Sequence, residues 1–260
     1  MSVSSQEKGG AKAPDAGHQE SGLGETLRIV FHAVIIAIVI RTFVFQPFSI
    51  PSPSMESTLL VGDYLFVSKF SYGFSHYSLP WSPRLFSGRI FASQPKRGDV
   101  VVFRLPREDD VDYIKRLIGL PGDRIQMING VLNINGVAVK REPMEDYRGD
   151  DGDRPVRRWR ETLPNGVTYT TLDLYDNAQL DNTEVFTVPP GHYFMMGDNR
   201  DNSTDSRVSP EQHGVGFVPA ENLIGRAQVV FFSVRGHEPA WHIWSWPWTV
   251  RWDRLFTFVR

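Results

Sequence analysis

RIQMINGVLNING, residues 124–136, sets Asn129-Gly130 between the apolar runs IQMI and VLNI and repeats the pair at Asn135-Gly136. Asn-Gly is the strongest short-range hairpin signal, because both residues tolerate the positive φ that a two-residue turn demands. The stretch predicts antiparallel strands over Arg124 to Ile128 and Val131 to Ile134. Outward from it, Tyr64 to Val67, Asp99 to Arg104, Tyr113 to Ile118, Tyr193 to Met196 and Gln228 to Phe232 are further β-branched or aromatic runs parted by turn residues. The expected domain is mainly β and antiparallel. Glu142 to Asp181, which contains RGDDGDRPVRRWRE, is much more polar and reads as an insertion between core strands, its charges a solvated face.

At 260 residues with 41% hydrophobic and 12% aromatic content, the chain holds one medium domain plus appendages. Its 28 basic and 30 acidic residues are spread throughout to a net charge of -2, which is not the footprint of a nucleic-acid binder. The absence of cysteine removes disulfides, thiolate metal ligands and a cysteine nucleophile together. Compartment must then be read from targeting segments.

Residues Met1 to Gly24 have almost no apolar side chains and read as a disordered tail. LRIVFHAVIIAIVIRTFVF, Leu27 to Phe45, inverts that composition; as a helix it extends about 28 Å, one hydrocarbon core. No small-x-small site follows it and Gln46-Pro47 breaks the helix, which favours an uncleaved membrane anchor over a signal peptide. The strictly uncharged part, Ile29 to Ile40, is short enough to leave a buried core helix open. Lys8, Lys12 and Arg28 precede the span and only Arg41 closely follows it, placing the N-terminus in the cytoplasm. At the other end, Trp241, Trp244, Trp246, Trp248 and Trp252 crowd together before Leu255, Phe256 and Phe258. Two readings stand for this tail: apolar cover on the β domain, or contact with a bilayer surface.

Chemistry concentrates in three segments. Lys115 stands in an apolar strand between Tyr113 and Leu117, with Arg116 on the other face, and burial is the usual means of making a lysine a base. Alone, such a lysine is more often an edge residue snorkelling to solvent. Ser54 sits in PSPSM, residues 51–55, where Pro51 and Pro53 keep the backbone out of a helix and present the hydroxyl just beyond the apolar segment. The third segment, GDNRDNSTDSR at 197–207, fails the calcium-loop pattern, with Ser206 where glycine is needed and Gln212 where glutamate is needed. It reads as a hydrogen-bonded, ion-paired brace for a neighbouring site. No Gly-x-Ser-x-Gly elbow or His-Glu-x-x-His occurs, and Ser93-Gln-Pro-Lys96 lacks the companions of the Ser-x-x-Lys enzymes.

With PSPSMESTLLVGDYLFVSKFSYG, RGDVVVFRLP, YIKRLIGLPGD and GDNRDNSTDSR in this order behind an apolar anchor, the chain resembles the bacterial type I signal (leader) peptidases, membrane-bound Ser-Lys serine proteases. The resemblance covers about a third of the chain. It implies a catalytic core of coiled antiparallel β-sheet with an inserted second subdomain, and a single N-terminal transmembrane helix. It implies Ser54 as nucleophile and Lys115 as general base, with the Ser54 amide and Ser52 hydroxyl as oxyanion hole. Ser203 would hydrogen-bond Lys115, and Asp205 with Arg207 would brace the pair. Phe48, Ile50, Met55, Leu59, Tyr113 and Ile114 would wall shallow pockets accepting the small residues of Ala-x-Ala sites. Signal peptides of secreted preproteins and membrane lipid are the implied partners, with no metal, other cofactor or nucleic acid.

The resulting division is 1–25 cytoplasmic tail, 26–45 transmembrane anchor, 46–139 and 186–236 catalytic β core, 140–185 inserted polar subdomain, and 237–260 Trp-rich tail. The location implied is the inner (plasma) membrane, single-pass, with the catalytic region outside the cytoplasm. Pro53 departs from the glycine of many family members, although the oxyanion donor is the following amide. A non-catalytic anchored binding module is the rival reading, opposed by the intact Ser54, Lys115 and Ser203. A specialised processing peptidase with a narrow client set is also compatible with these motifs.

Overall fold

A computed structural model describes residues 22–149, 155–235 and 242–260. The expected disordered tail lies, up to residue 21, outside the described residues. One compact unit ends at Ile38 and a second runs from Val39 to Arg260. Helix α1 (Gly22–Phe43) starts earlier than the hydropathy suggests, so Gly22 to Gly24 are helical rather than tail. Glu25 in its first turn and Arg41 in its last both suit the helix dipole. It also stops earlier, because Phe45 already pairs as a strand and Gln46, preceding Pro47, is biased away from helix. Leu23, Ile29, Phe31, Ile36 and Ile40 are exposed along α1. The helix is long and apolar enough to cross a membrane.

The strands are β1 (Phe45–Ser49), β2 (Asp63–Ser68), β3 (Val100–Arg104), β4 (Asp112–Gly119), β5 (Arg124–Ile128), β6 (Val131–Ile134), β7 (Val137–Ala138), β8 (Lys140–Pro143), β9 (Arg157–Thr162), β10 (Thr168–Asp173), β11 (Phe186–Thr187), β12 (His192–Met196), β13 (Val218–Pro219), β14 (Leu223–Ser233) and β15 (Thr257–Phe258). The fold is mainly β and its named ladders are antiparallel. The main sheet runs β1-β2-β14-β3-β4-β12-β13, with β15 added to β14. Strand β14 pairs with β3 near its start and with β2 further on, and the register shifts along it. Such bulges bend a strand and curl the sheet. The hairpin expected at Asn129-Gly130 forms with the anticipated strands, Asn129 and Gly130 both having positive φ.

Strands β10-β9-β8 form a separate three-stranded sheet in the polar insertion, and β11-β5-β6-β7 form a four-stranded one. Its charges are not all a solvated face: Glu161 is buried and takes a two-pronged bond from buried Arg200. A carboxylate can be buried there because that fork satisfies both its oxygens. The Trp-rich tail covers the β domain with part of its length. Arg254 binds buried Asp63, Val250 and Val259 are buried, and Trp246 meets Phe232 at 5.0 Å. Trp244, Trp248 (77% exposed), Trp252 and Phe256 nevertheless project outward. Trp241 lies outside the described residues.

Gly62 closes the turn that returns the chain from Ser54 into β2. Its φ is +90°, and a Cβ there would lie 2.1 Å from the Val234 carbonyl oxygen. Its amide bonds Ile50 and its carbonyl bonds the Val234 amide. Gly62→Ala is expected to destabilise the fold by at least about 2 kcal/mol, read as a lower urea midpoint at unchanged slope.

Candidate active site

Ser54 is carried by one 3₁₀ turn, Pro53–Met55, in which proline occupies the first position. The prolines therefore do not exclude helical structure; the fixed φ of Pro53 starts a short turn, where its missing amide costs nothing. That turn sends Ser54 toward a cavity and Met55 into the core. The Asn199 backbone amide donates to the Ser54 carbonyl at 3.1 Å, and its side-chain amide to the Pro53 carbonyl at 3.1 Å. The Ser54 amide itself lies in the first turn, where helix amides have no partner within the helix.

Lys115 comes from β4, opposite Val101 of β3. Its Nζ reaches Ser54 Oγ at 2.6 Å, and the two residues are 3% and 6% exposed. Burial pushes the Lys115 ammonium down to about 8, against the pull of Asp205 and then Asp198, with Arg207 adding to the decrease. Ser52 Oγ lies 3.3 Å from Ser54 Oγ. These residues, far apart in sequence, thus form one hydroxyl–amine cluster.

Ser203 departs from the expected arrangement. It donates to Asp205 Oδ2 at 2.8 Å, and Lys115 Nζ has no hydrogen bond to it. The ionised carboxylate two residues along is a strong acceptor, and the Ser203 hydroxyl donates its hydrogen bond there. Arg207 grips Asp205 with Nε at 2.9 Å and Nη2 at 2.8 Å, and the Gly197 amide adds a bond at 3.0 Å. Burial works to raise the Asp205 carboxyl, but Arg207 and these donors outweigh it and hold the group low. Gly197 is needed for its bareness: a Cβ there would lie 2.2 Å from Ser203 Oγ and 2.5 Å from the Ser54 carbonyl oxygen.

A cavity of about 350 Å³ opens in front of the pair. Phe48, Ile50, Tyr113 and Ile114 line it as expected, together with Val102, Val111, Asn202 and Thr204. Met55 and Leu59 do not line it; both are wholly buried in the core cluster with Leu65, Val67 and Val100. Within the 3₁₀ turn, Met55 points away from the side on which Pro53 and Ser54 meet the cavity. Among the described residues no group of three or more His, Cys, Asp or Glu is placed to hold a metal.

The sequence did not mark Asp198 as Arg116's partner. Arg116 is completely buried, forks onto Asp198 at 2.8 and 2.7 Å, and bonds the Gly98 carbonyl at 2.8 Å. Thr58 also donates to Asp198 at 2.6 Å. An arginine between apolar strand residues was the available signal, but its partner is far away in sequence.

Residues 23–232 match the family model described as signal peptidase, peptidase S26. The signal peptidase I of Rickettsia typhi is 49% identical over 210 residues, covering 78% of this chain and 77% of that protein. That of Rickettsia prowazekii is 48% identical over the same shares. A crystal structure of a signal peptidase I from Enterococcus faecalis is 30% identical, covers 52% of this chain and 97% of that one, and has a TM-score of 0.31.

A charged lysine in this setting weakens the fold. The folded state holds the Lys115 proton less tightly than the unfolded chain, so the destabilisation is complete below pH 8 and fades as pH rises toward 10.5. Lys115→Met is expected to stabilise the protein at pH 7 by up to about 3 kcal/mol, the gain shrinking between pH 8 and 10.5. Denaturant unfolding at several pH values reads it.

Proposed function

The chain belongs to the signal peptidase family, peptidase S26, a family of serine endopeptidases, and we propose that it cleaves N-terminal signal peptides from exported preproteins with Ser54 and Lys115 as its catalytic pair. The observation carrying this is the 2.6 Å contact between a serine hydroxyl and a desolvated lysine beside an open cavity. Neutral Lys115 takes the Ser54 proton as Oγ attacks the scissile carbonyl carbon. The Ser54 amide and Ser52 hydroxyl receive the developing oxyanion. The lysine then hands the proton to the departing amine, leaving an acyl ester on Ser54. Lys115 next deprotonates a water that attacks the ester, and returns the proton to Ser54. Ser203, Asp205 and Arg207 act as positioning residues.

Substrate fit follows from the cavity. Phe48, Ile50, Tyr113 and Ile114 give shallow apolar walls suited to the small residues of an Ala-x-Ala site. The β12 ladder on β4 ends at Met196–Arg116. Hydrogen-bond alternation from the Leu117–Asp99 bond turns the Ile114 amide and carbonyl away from β3. An extended peptide can add to this edge as a strand.

Anchoring by α1 in the inner membrane, N-terminus in the cytoplasm, would bring enzyme and preprotein together at the outer bilayer surface, and the Lys8, Lys12 and Arg28 bias supports that orientation. Exposed Trp244, Trp248 and Trp252 suit the lipid headgroup level.

The test is cleavage of an Ala-x-Ala preprotein by the detergent-solubilised full chain. Ser54→Ala and Lys115→Ala should each lower kcat by about 10⁴-fold or more while the domain stays folded. Because the base must be neutral, the rate should rise with pH through about 8 and then level. A pH-independent rate, or turnover retained in Lys115→Ala, would remove the lysine from the mechanism.

A further inference from the structure

A second cavity, of about 510 Å³, adjoins the last turn of α1 and holds polar groups that the peptidase reaction does not use. Lys69 lines it from the 3₁₀ turn after β2, only 2% exposed. Its Nζ donates to Gln46 Oε1 at 2.9 Å and to no carboxylate among the described residues. Thr42 Oγ1 and His76 Nδ1, of two further residues lining the cavity, are buried without a hydrogen-bond partner among the described residues. Arg41 completes the group, exposed and without an ion pair among the described residues. Each buried unpaired polar atom costs about 1–3 kcal/mol, a cost that an acceptor-rich ligand bonding to both Thr42 and His76 would offset.

The charges define its sign. Of the carboxylates in the wall, Asp109 is bound by Arg84 and Tyr77, and Asp112 by Arg104 at 2.7 Å. Asp110 stands exposed. Two cations, Arg41 and Lys69, thus remain against one carboxylate at the rim. Burial pushes Lys69 down to about 8 despite Asp112, with Arg41, Arg104 and Arg89 lowering it further. An anion seated beside it would relieve that cost.

We propose that this cavity binds a phosphate group, that of a phospholipid headgroup, through Lys69, Arg41, Thr42 and His76. Tetrahedral phosphate oxygens can accept from ammonium, guanidinium, hydroxyl and imidazole donors at once. Assignment to a lipid rests on reading α1 as a membrane anchor. Arg41 and Thr42 lie in its last turn, so the headgroup layer of a bilayer crossed by α1 would reach the cavity.

The experiment is thermal unfolding of the full chain in dodecyl maltoside micelles, titrated with dihexanoyl phosphatidylglycerol or with inorganic phosphate. The lipid should raise Tm saturably. Lys69→Met and the exposed-site variant Arg41→Gln should each weaken the apparent affinity by about tenfold or more. An equal response to inorganic phosphate would support the phosphate site and overturn its lipid assignment. No saturable rise with either probe, or unchanged affinity in both variants, would overturn the site. Extraction of membranes with alkaline carbonate reports the anchor separately. A chain released by carbonate whose Tm still rises with phosphate would sink the anchor reading and leave the phosphate site standing.

Discussion

Burying Lys115 is the constraint around which the candidate active site is built. An ammonium resists leaving water, and at 3% exposure that resistance favours the neutral amine. Two carboxylates nearby oppose this, because Asp205 and Asp198 both pull the lysine back toward its charged form. Neither is free. Asp205 is held in the Arg207 fork and Asp198 in the Arg116 fork. The arginines let the carboxylates shape the backbone through hydrogen bonds while cancelling much of the field they would exert on Nζ.

The same forks tie remote segments together. Arg116 joins β4 to Asp198, and Arg200 joins the 197–207 segment to Glu161 in the polar insertion. Asn199 links that segment to the Ser54 turn. Removing one member of such a buried pair strands a charge, which costs far more than the intact pair contributes. Ser54 is therefore placed by a closed circuit of hydrogen bonds as well as by its own turn.

Local patterns made much of the fold legible. Asn129-Gly130 specified a hairpin through turn chemistry alone, and strands such as Arg124–Ile128 followed from short β-branched runs. The anchor's end was harder to read. Val44 and Phe45 are as apolar as the residues before them, and only pairing with β2, which no local pattern contains, draws Phe45 into a strand.

The site divides along the same line. Ser54 and Lys115 could be chosen from residue type and placement in two motifs, and their contact needs only that β4 and the proline turn meet. Ser203 was assigned a bond to Lys115, but its hydroxyl donates to Asp205, a partner that spacing alone does not pick out. Met55 and Leu59 were assigned to the cavity by the family resemblance. In a 3₁₀ turn successive side chains diverge by about 120°, so the turn that aims the Ser54 hydroxyl at Lys115 directs Met55 into the core. The contiguous stretch from Phe48 to Ser54 supplies one side of the cavity, and Val102, Val111 and Thr204 from distant parts of the chain complete it, which no local pattern could show.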